Sequence, residues 1–305
     1  MNAIERVTGE AVEVGGAGRD LVGAFVGAKR SRETRAAYLA DLRALAAHLG
    51  GREALGTATV AGIVAWRDDM LARGLSPATV GRRLSAARTF YGFAVAEGLR
   101  PSNPALHVEG PAVEAARARA PWVEAPDARR ILEVPDTSTV RGLRDRAILG
   151  LLFRLGLRRG EVAGLTRGQV RQEADGLRLV VHGKGGKTRE LVLNGEGRIL
   201  LSWVERAGLL DAPADALMFA SPRNPARALS GRQLANIVRD AARAAGVEVQ
   251  GGDSLSPHGA RRTFATRALD TGATMEALRR AMGHASVATT SRYDRRADAD
   301  LVVSY

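Results

Sequence analysis

Apolar residues recur at helical spacing along most of the chain. From Ser31 onward, Tyr38, Leu42, Leu45 and Leu49 share one face of a predicted helix that Gly50-Gly51 terminates. A second helix is expected over residues 59–73. A third opens with Ser76-Pro77, a capping serine followed by a proline in the first turn, and stops at Gly98. Residues 17–108 therefore read as a small helical bundle. Residues 1–16, which run into the glycine cluster before Gly18, read as a flexible leader. Pro101, Pro104, Pro111, Pro121 and Pro126 punctuate a stretch rich in alanine and arginine, and residues 109–121 are assigned as the linker to a second domain over 122–305.

In that second part the pattern predicts helices over 127–134 and 141–155, the latter closed by Gly156. Two short runs rich in Val and Leu, 177–181 and 190–193, flank Gly183-Lys184-Gly185-Gly186 and read as a hairpin with a loop longer than the tightest turns. Helical patterns then resume over 195–207, 231–245, 257–270, 274–282 and 286–293. The expected fold class is mainly α with a small β-sheet or hairpin.

Composition narrows the partner. A chain of 305 residues fits two domains of roughly 100–200 residues each. The formal charge is +12, and residues 1–110 carry 14 basic against 11 acidic side chains, so most of the excess falls on the second part. Such a balance favours a polyanion, because cations that neutralise phosphates release condensed counterions. The absence of cysteine removes disulfides, thiolate metal sites and a cysteine nucleophile. The longest apolar run lies within 147–153, short of the roughly 20 residues of a membrane helix, so no membrane partner is expected and the location is read as cytoplasmic.

The candidate chemistry is concentrated in the second part. His258 and Arg261 stand three apart just inside a helix opened by Ser256-Pro257, a spacing that puts both on one face, within reach of one phosphate. Arg158 precedes Glu161 by three, close enough for a forked ion pair. Of 45 basic side chains only Lys29, Lys184 and Lys187 are lysines, and two of these share the hairpin loop. Unlike arginine, a desolvated lysine can give up a proton near neutral pH. Gly186-Lys187-Thr188 superficially matches the end of a nucleotide-binding loop, but Val181 occupies the required glycine position and a strand follows. His284 follows Gly283 between two predicted helices, and Tyr293 lies nine residues later.

Taken in order, these residues resemble the tyrosine recombinase (integrase) family, with the domain plan of its Xer-like members. Leu-Gly-Leu-Arg158-Arg-Gly-Glu161 is similar to the family's first arginine motif, and Gly-Lys184-Gly to its hairpin lysine. His258-Gly-Ala-Arg261 resembles its His-x-x-Arg box, Gly-His284 its second histidine and Tyr293 its nucleophile. The resemblance implies an N-terminal helical, SAM-like core-binding domain and a mixed α/β catalytic domain that together clamp double-stranded DNA. It implies site-specific cleavage and rejoining through a 3′-phosphotyrosine, with no cofactor and no metal. The assembly implied is a homo-tetramer, or a hetero-tetramer with a second recombinase, on two DNA sites. Arg262 stands where the family often has histidine. Only twelve residues follow Tyr293, so Leu301, Val302 and Val303 are expected to supply at most a small apolar plug to a neighbour, and the lack of an added N-terminal arm-binding domain points to a simple recombinase acting on short sites. A type IB topoisomerase that relaxes DNA, and an inactive DNA-binding accessory protein, are the competing readings.

Overall fold

The structure is a computed structural model that describes residues 20–112, 121–174, 176–183 and 186–284, with backbone only at Glu33. The chain divides into two compact units, Met1–Ala118 and Arg119–Tyr305.

In the first unit the helices are α1 (Leu21–Gly27), α2 (Arg32–Leu49), α3 (Ala54–Thr57), α4 (Val60–Ala72) and α5 (Pro77–Ala96). The predicted starts are set by side-chain caps: Ser31, Thr59 and Ser76 accept from the amides of Thr34, Gly62 and Thr79. The short helix α1 was not anticipated. It is capped by Asp20 and holds its place by burying Phe25, whose ring meets Tyr38 at 5.0 Å and Phe90 at 5.5 Å, both edge-on. Leu42, Leu45, Ile63, Trp66 and Leu84 complete this core.

The second unit runs α6 (Ala125–Glu133), α7 (Val140–Phe153), α8 (Arg159–Ala163), β1 (Val170–Glu173), β2 (Gly176–His182), β3 (Thr188–Val192) and α9 (Gly195–Arg206). It continues through β4 (Ala220–Ser221), β5 (Asn224–Ala228), α10 (Gly231–Ala244), α11 (Pro257–Asp270) and α12 (Met275–Met282). The predicted hairpin is the β2–β3 part of a three-stranded antiparallel sheet, order β1-β2-β3, with Val181 opposite Arg189 and Leu179 opposite Leu191. Strand β1 escaped prediction because three of its four residues are exposed and carry no apolar alternation. The helix α7 is buried along Leu143, Ala147, Ile148, Leu151 and Leu152, and together with Val181, Trp203, Leu234 and Ala260 it forms one core. The predicted helix over 286–293 lies outside the described residues.

One buried polar contact ties the start of this unit to α11. Thr263, 2% exposed, accepts a hydrogen bond from the Val123 amide at 3.1 Å. Thr263→Val keeps the shape but orphans that amide, so a loss of about 1–3 kcal/mol is expected. Hydrogen exchange checks this directly: the Val123 amide should lose its protection, whereas retained protection would mean that another acceptor replaces the hydroxyl.

Candidate active site

The geometry of the site follows from the end of one short helix. The C-terminus of α12 leaves carbonyls without intrahelical donors and carries the negative end of the helix dipole. Three arginines from three separate segments meet it. Arg189 on β3 donates from Nε to the Ala281 carbonyl at 2.8 Å, Arg261 on α11 donates to Met282 at 2.6 Å, and Arg158 at the start of α8 donates to Gly283 at 2.8 Å. The helix ends in a left-handed glycine, Gly283 with φ 61°. A Cβ there would lie 3.1 Å from Arg189 Nη1 and 3.5 Å from Arg158 Nη1, so glycine serves both the turn and the close approach. The next residue, His284, is buried, and its Nε2 lies 3.0 Å from Arg261 Nη2. Guanidinium nitrogens only donate, so Nε2 accepts and the ring proton sits on Nδ1.

Glu161 supplies the counter-charge. Its carboxylate is 6% exposed and takes a two-pronged bond from Arg189, at 2.9 Å and 2.8 Å. It also accepts from Arg158 Nη1 and from the Arg158 amide, each at 2.8 Å. Burial alone would raise the carboxyl's pKa, but the bonds from Arg189 and Arg158 outweigh it and hold the group at about 2. The ion pair expected from the three-residue spacing forms, but not across a helix face. Arg158 is the N-cap of α8, and Glu161 folds back on its amide as the third residue of the first turn.

Arg261 reaches across the core to the Gly156 carbonyl. Gly156 has φ 63°, and a Cβ there would meet the Phe264 ring at 2.3 Å, so the turn after α7 requires glycine. His258 is exposed on the first turn of α11, whereas Arg261, 3% exposed, lies at the floor. Partial desolvation, with Arg261 and Arg262 adding, lowers the His258 pKa. Burial lowers that of His284 to about 4, helped by Arg261, Arg158 and Arg189. Both imidazoles therefore favour the neutral form.

Of the six candidates, Arg158, Arg261 and His284 are joined in one hydrogen-bonded cluster, and His258 faces the charge of Arg261. Lys184 and Tyr293 lie outside the described residues. Gly183, the residue before Lys184, does border the cluster: a Cβ on it would lie 3.8 Å from both Glu161 Oε1 and Arg189 Nη1.

Arg189 was missed by sequence reasoning. The available signal was its parity, since it precedes Leu191 by two on β3 and so faces the interior, opposite Val181. A charge at an inward strand position implies a buried partner.

The profile of the phage integrase family matches residues 121–300, and that of the phage integrase N-terminal SAM-like domain matches residues 25–98. Tyrosine recombinase XerD of Caulobacter vibrioides is 35% identical over 239 residues, spanning 76% of this chain and 75% of its own. Tyrosine recombinase XerC of a Mycobacterium sp. (strain JLS) is 34% identical over 275 residues, spanning 87% and 88%. Among solved structures, a lambda integrase tetramer bound to a Holliday junction matches with a TM-score of 0.64 at 18% identity, over 87% of this chain and 76% of that one, a likeness of fold.

Arg189→Gln tests the cluster. The folded Glu161 value of about 2 lies below its ordinary 4.5, so its stabilisation is present at neutral pH and lost as pH falls towards 2. His284 acts in the same direction: with a folded value of about 4 against 6.5, the unfolded chain binds its proton first and stability declines below 6.5. Removing Arg189 should cost about 3 kcal/mol and move acid unfolding to higher pH. Arg189→Lys should recover part of the loss. An unchanged acid midpoint, read by circular dichroism, would show that Arg189 does not set the charge state of Glu161.

Proposed function

The chain belongs to the phage integrase family of tyrosine recombinases, and from this we propose that it cuts and rejoins duplex DNA at specific sites, with Arg158, Lys184, His258, Arg261, His284 and Tyr293 as the reacting and binding groups. The observation that carries the assignment of residues is the convergence of Arg158, Arg261 and His284 from three distant segments on the end of α12.

In this reading Tyr293 Oη attacks the scissile phosphorus. The bond to the 5′-oxygen breaks, leaving a 3′-phosphotyrosine and a 5′-hydroxyl. His258, exposed and favouring its neutral form, accepts the tyrosine proton, and Lys184 delivers a proton to the leaving oxygen. Arg158 has spent two of its five N–H donors on Glu161 and Gly283, and the side chain is 35% exposed, so it can also donate to a non-bridging oxygen. Arg261 adds positive potential from beneath, and the neutral His284 adds the N–H of its Nδ1 as a donor. Fixed charge of this kind lowers the barrier without reorganisation in the transition state. A 5′-hydroxyl from a second duplex reverses the step, so strand exchange conserves bond energy and requires no nucleotide.

A tetramer on two sites, of one chain or of this chain with a second recombinase, is the proposed assembly. The lambda integrase tetramer on a Holliday junction supports it as a precedent of the same fold.

The nucleophile and acid can be tested separately. On a nicked duplex carrying its site, Tyr293→Phe should retain DNA affinity and form no denaturation-resistant adduct; any adduct in this variant would reassign the nucleophile. Lys184→Ala should slow cleavage by about 100-fold or more, and a 5′-bridging sulfur, which leaves without protonation, should restore the rate. Failure of the sulfur substrate to rescue would remove the general-acid role. DNA affinity should also fall steeply as salt rises from 50 to 200 mM, read by anisotropy, in keeping with counterion release.

A further inference from the structure

A second concentration of guanidiniums lies in the crevice between α6, α7 and α11. A cavity of about 220 Å³ is bounded on its apolar side by Leu132 and Phe153 and on its polar side by Arg129, Arg154 and Arg267. The carboxylate facing this group is Glu196. It is already held by Arg146 through bonds of 2.7 Å and 3.1 Å, and stands 3.8 Å from Arg154 Nε. Arg146, Arg154 and Arg267 thus share the charge of one carboxylate, and Arg129 adds a further guanidinium to the group. Among the described residues the side chains of Arg129 and Arg267 make no hydrogen bond or ion pair, and Arg154 Nε is buried without a hydrogen-bond partner. The crowding is felt chemically: burial, with Arg154 and Arg129 adding, lowers the pKa of Arg267.

We propose that this cavity binds a phosphate-type oxyanion, gripped by Arg129, Arg154 and Arg267 and separate from the site around Glu161. Like charges converge stably where a counter-charge neutralises them, and the planar guanidinium is the side chain that meets tetrahedral oxyanions two bonds at a time. The volume falls below the roughly 300 Å³ at which sites for larger organic ligands begin, which suits phosphate itself or a short phosphoester. The apolar wall excludes water from the far side and strengthens each charged bond.

The position gives the anion structural leverage. Arg267 shares α11 with Arg261, and Arg154 follows α7 directly, two residues before the Gly156 carbonyl that Arg261 uses. An anion here ties the end of α7 to α11, the helix that carries Arg261. The phosphate group could be free in solution or part of a DNA backbone, and both sources present the same chemistry to the cavity.

The experiment uses the full chain with inorganic phosphate exchanged for chloride at constant ionic strength, binding being read by calorimetry. The site around Glu161 also offers guanidiniums to phosphate, so the titration is made in an Arg158→Ala background, which weakens that site. One saturable phosphate site should persist there. Arg129→Gln, at an exposed position that leaves the fold intact, should weaken it at least about tenfold, as should Arg267→Met. Unchanged binding in both variants, or no saturable binding in the Arg158→Ala background, would overturn the proposal. If Arg129→Gln also lowers duplex affinity at fixed salt, the site holds and its occupant is a DNA backbone phosphate. If duplex affinity is unchanged while phosphate binding is lost, the site holds and its occupant is free.

Discussion

A carboxylate nearly sealed from water, Glu161, is the constraint on which the second unit's site depends. Two unscreened guanidiniums about 4 Å apart repel by about 4 kcal/mol at an effective dielectric of about 20. Glu161 removes that cost for Arg158 and Arg189 together, and it does so from inside the first turn of α8, where its second role is to satisfy the Arg158 amide. The end of α12 completes the arrangement. Its carbonyls at 281, 282 and 283 are each claimed by a different arginine, so the helix terminus is capped by the cationic groups that converge there. Removing either the carboxylate or the helix end would scatter the cations that the other gathers.

This arrangement also fixes the histidine. Because His284 follows the left-handed Gly283, its ring is carried back beside Arg261 and surrounded by positive charge. A neutral imidazole is the only form such an environment favours, and the hydrogen bond from Arg261 then selects its tautomer. The charge state of the site is therefore set by backbone geometry at one glycine as much as by the ionisable groups.

The elements legible in the sequence were those announced by local chemistry. The Ser-Pro starts located α5 and α11 because the capping bond spans only three residues, and the spacing of Tyr38, Leu42, Leu45 and Leu49 located α2. Arg158, Arg261 and His284 were legible for a different reason, as parts of short motifs whose order along the chain carries the information. What stayed hidden was long-range. Arg189 pairs with a glutamate 28 positions away and a carbonyl 92 positions away, and nothing within its own strand names either partner. The helix α1 was hidden for the same reason, since Phe25 is held by Phe90 across the bundle and not by a local pattern.

The heavy preference for arginine gives these long-range contacts a common logic. A lysine ammonium at position 189 could not bond two carboxylate oxygens and a carbonyl with one planar group, whereas the Arg189 fork does all three. The same fork lets Arg261 reach Gly156, Met282 and His284 at once. Each such arginine joins segments that are far apart in sequence, which makes the guanidinium a structural cross-link as well as a charge. The cost is that the charge is permanent and must be balanced. Glu161 balances Arg158 and Arg189 with the help of three carbonyl dipoles, while Glu196, already held by Arg146, leaves the guanidiniums of the α6–α7–α11 crevice in excess. The two arginine clusters in this unit thus differ in the supply of acceptors from the protein itself, and that difference decides which can be complete without a bound anion.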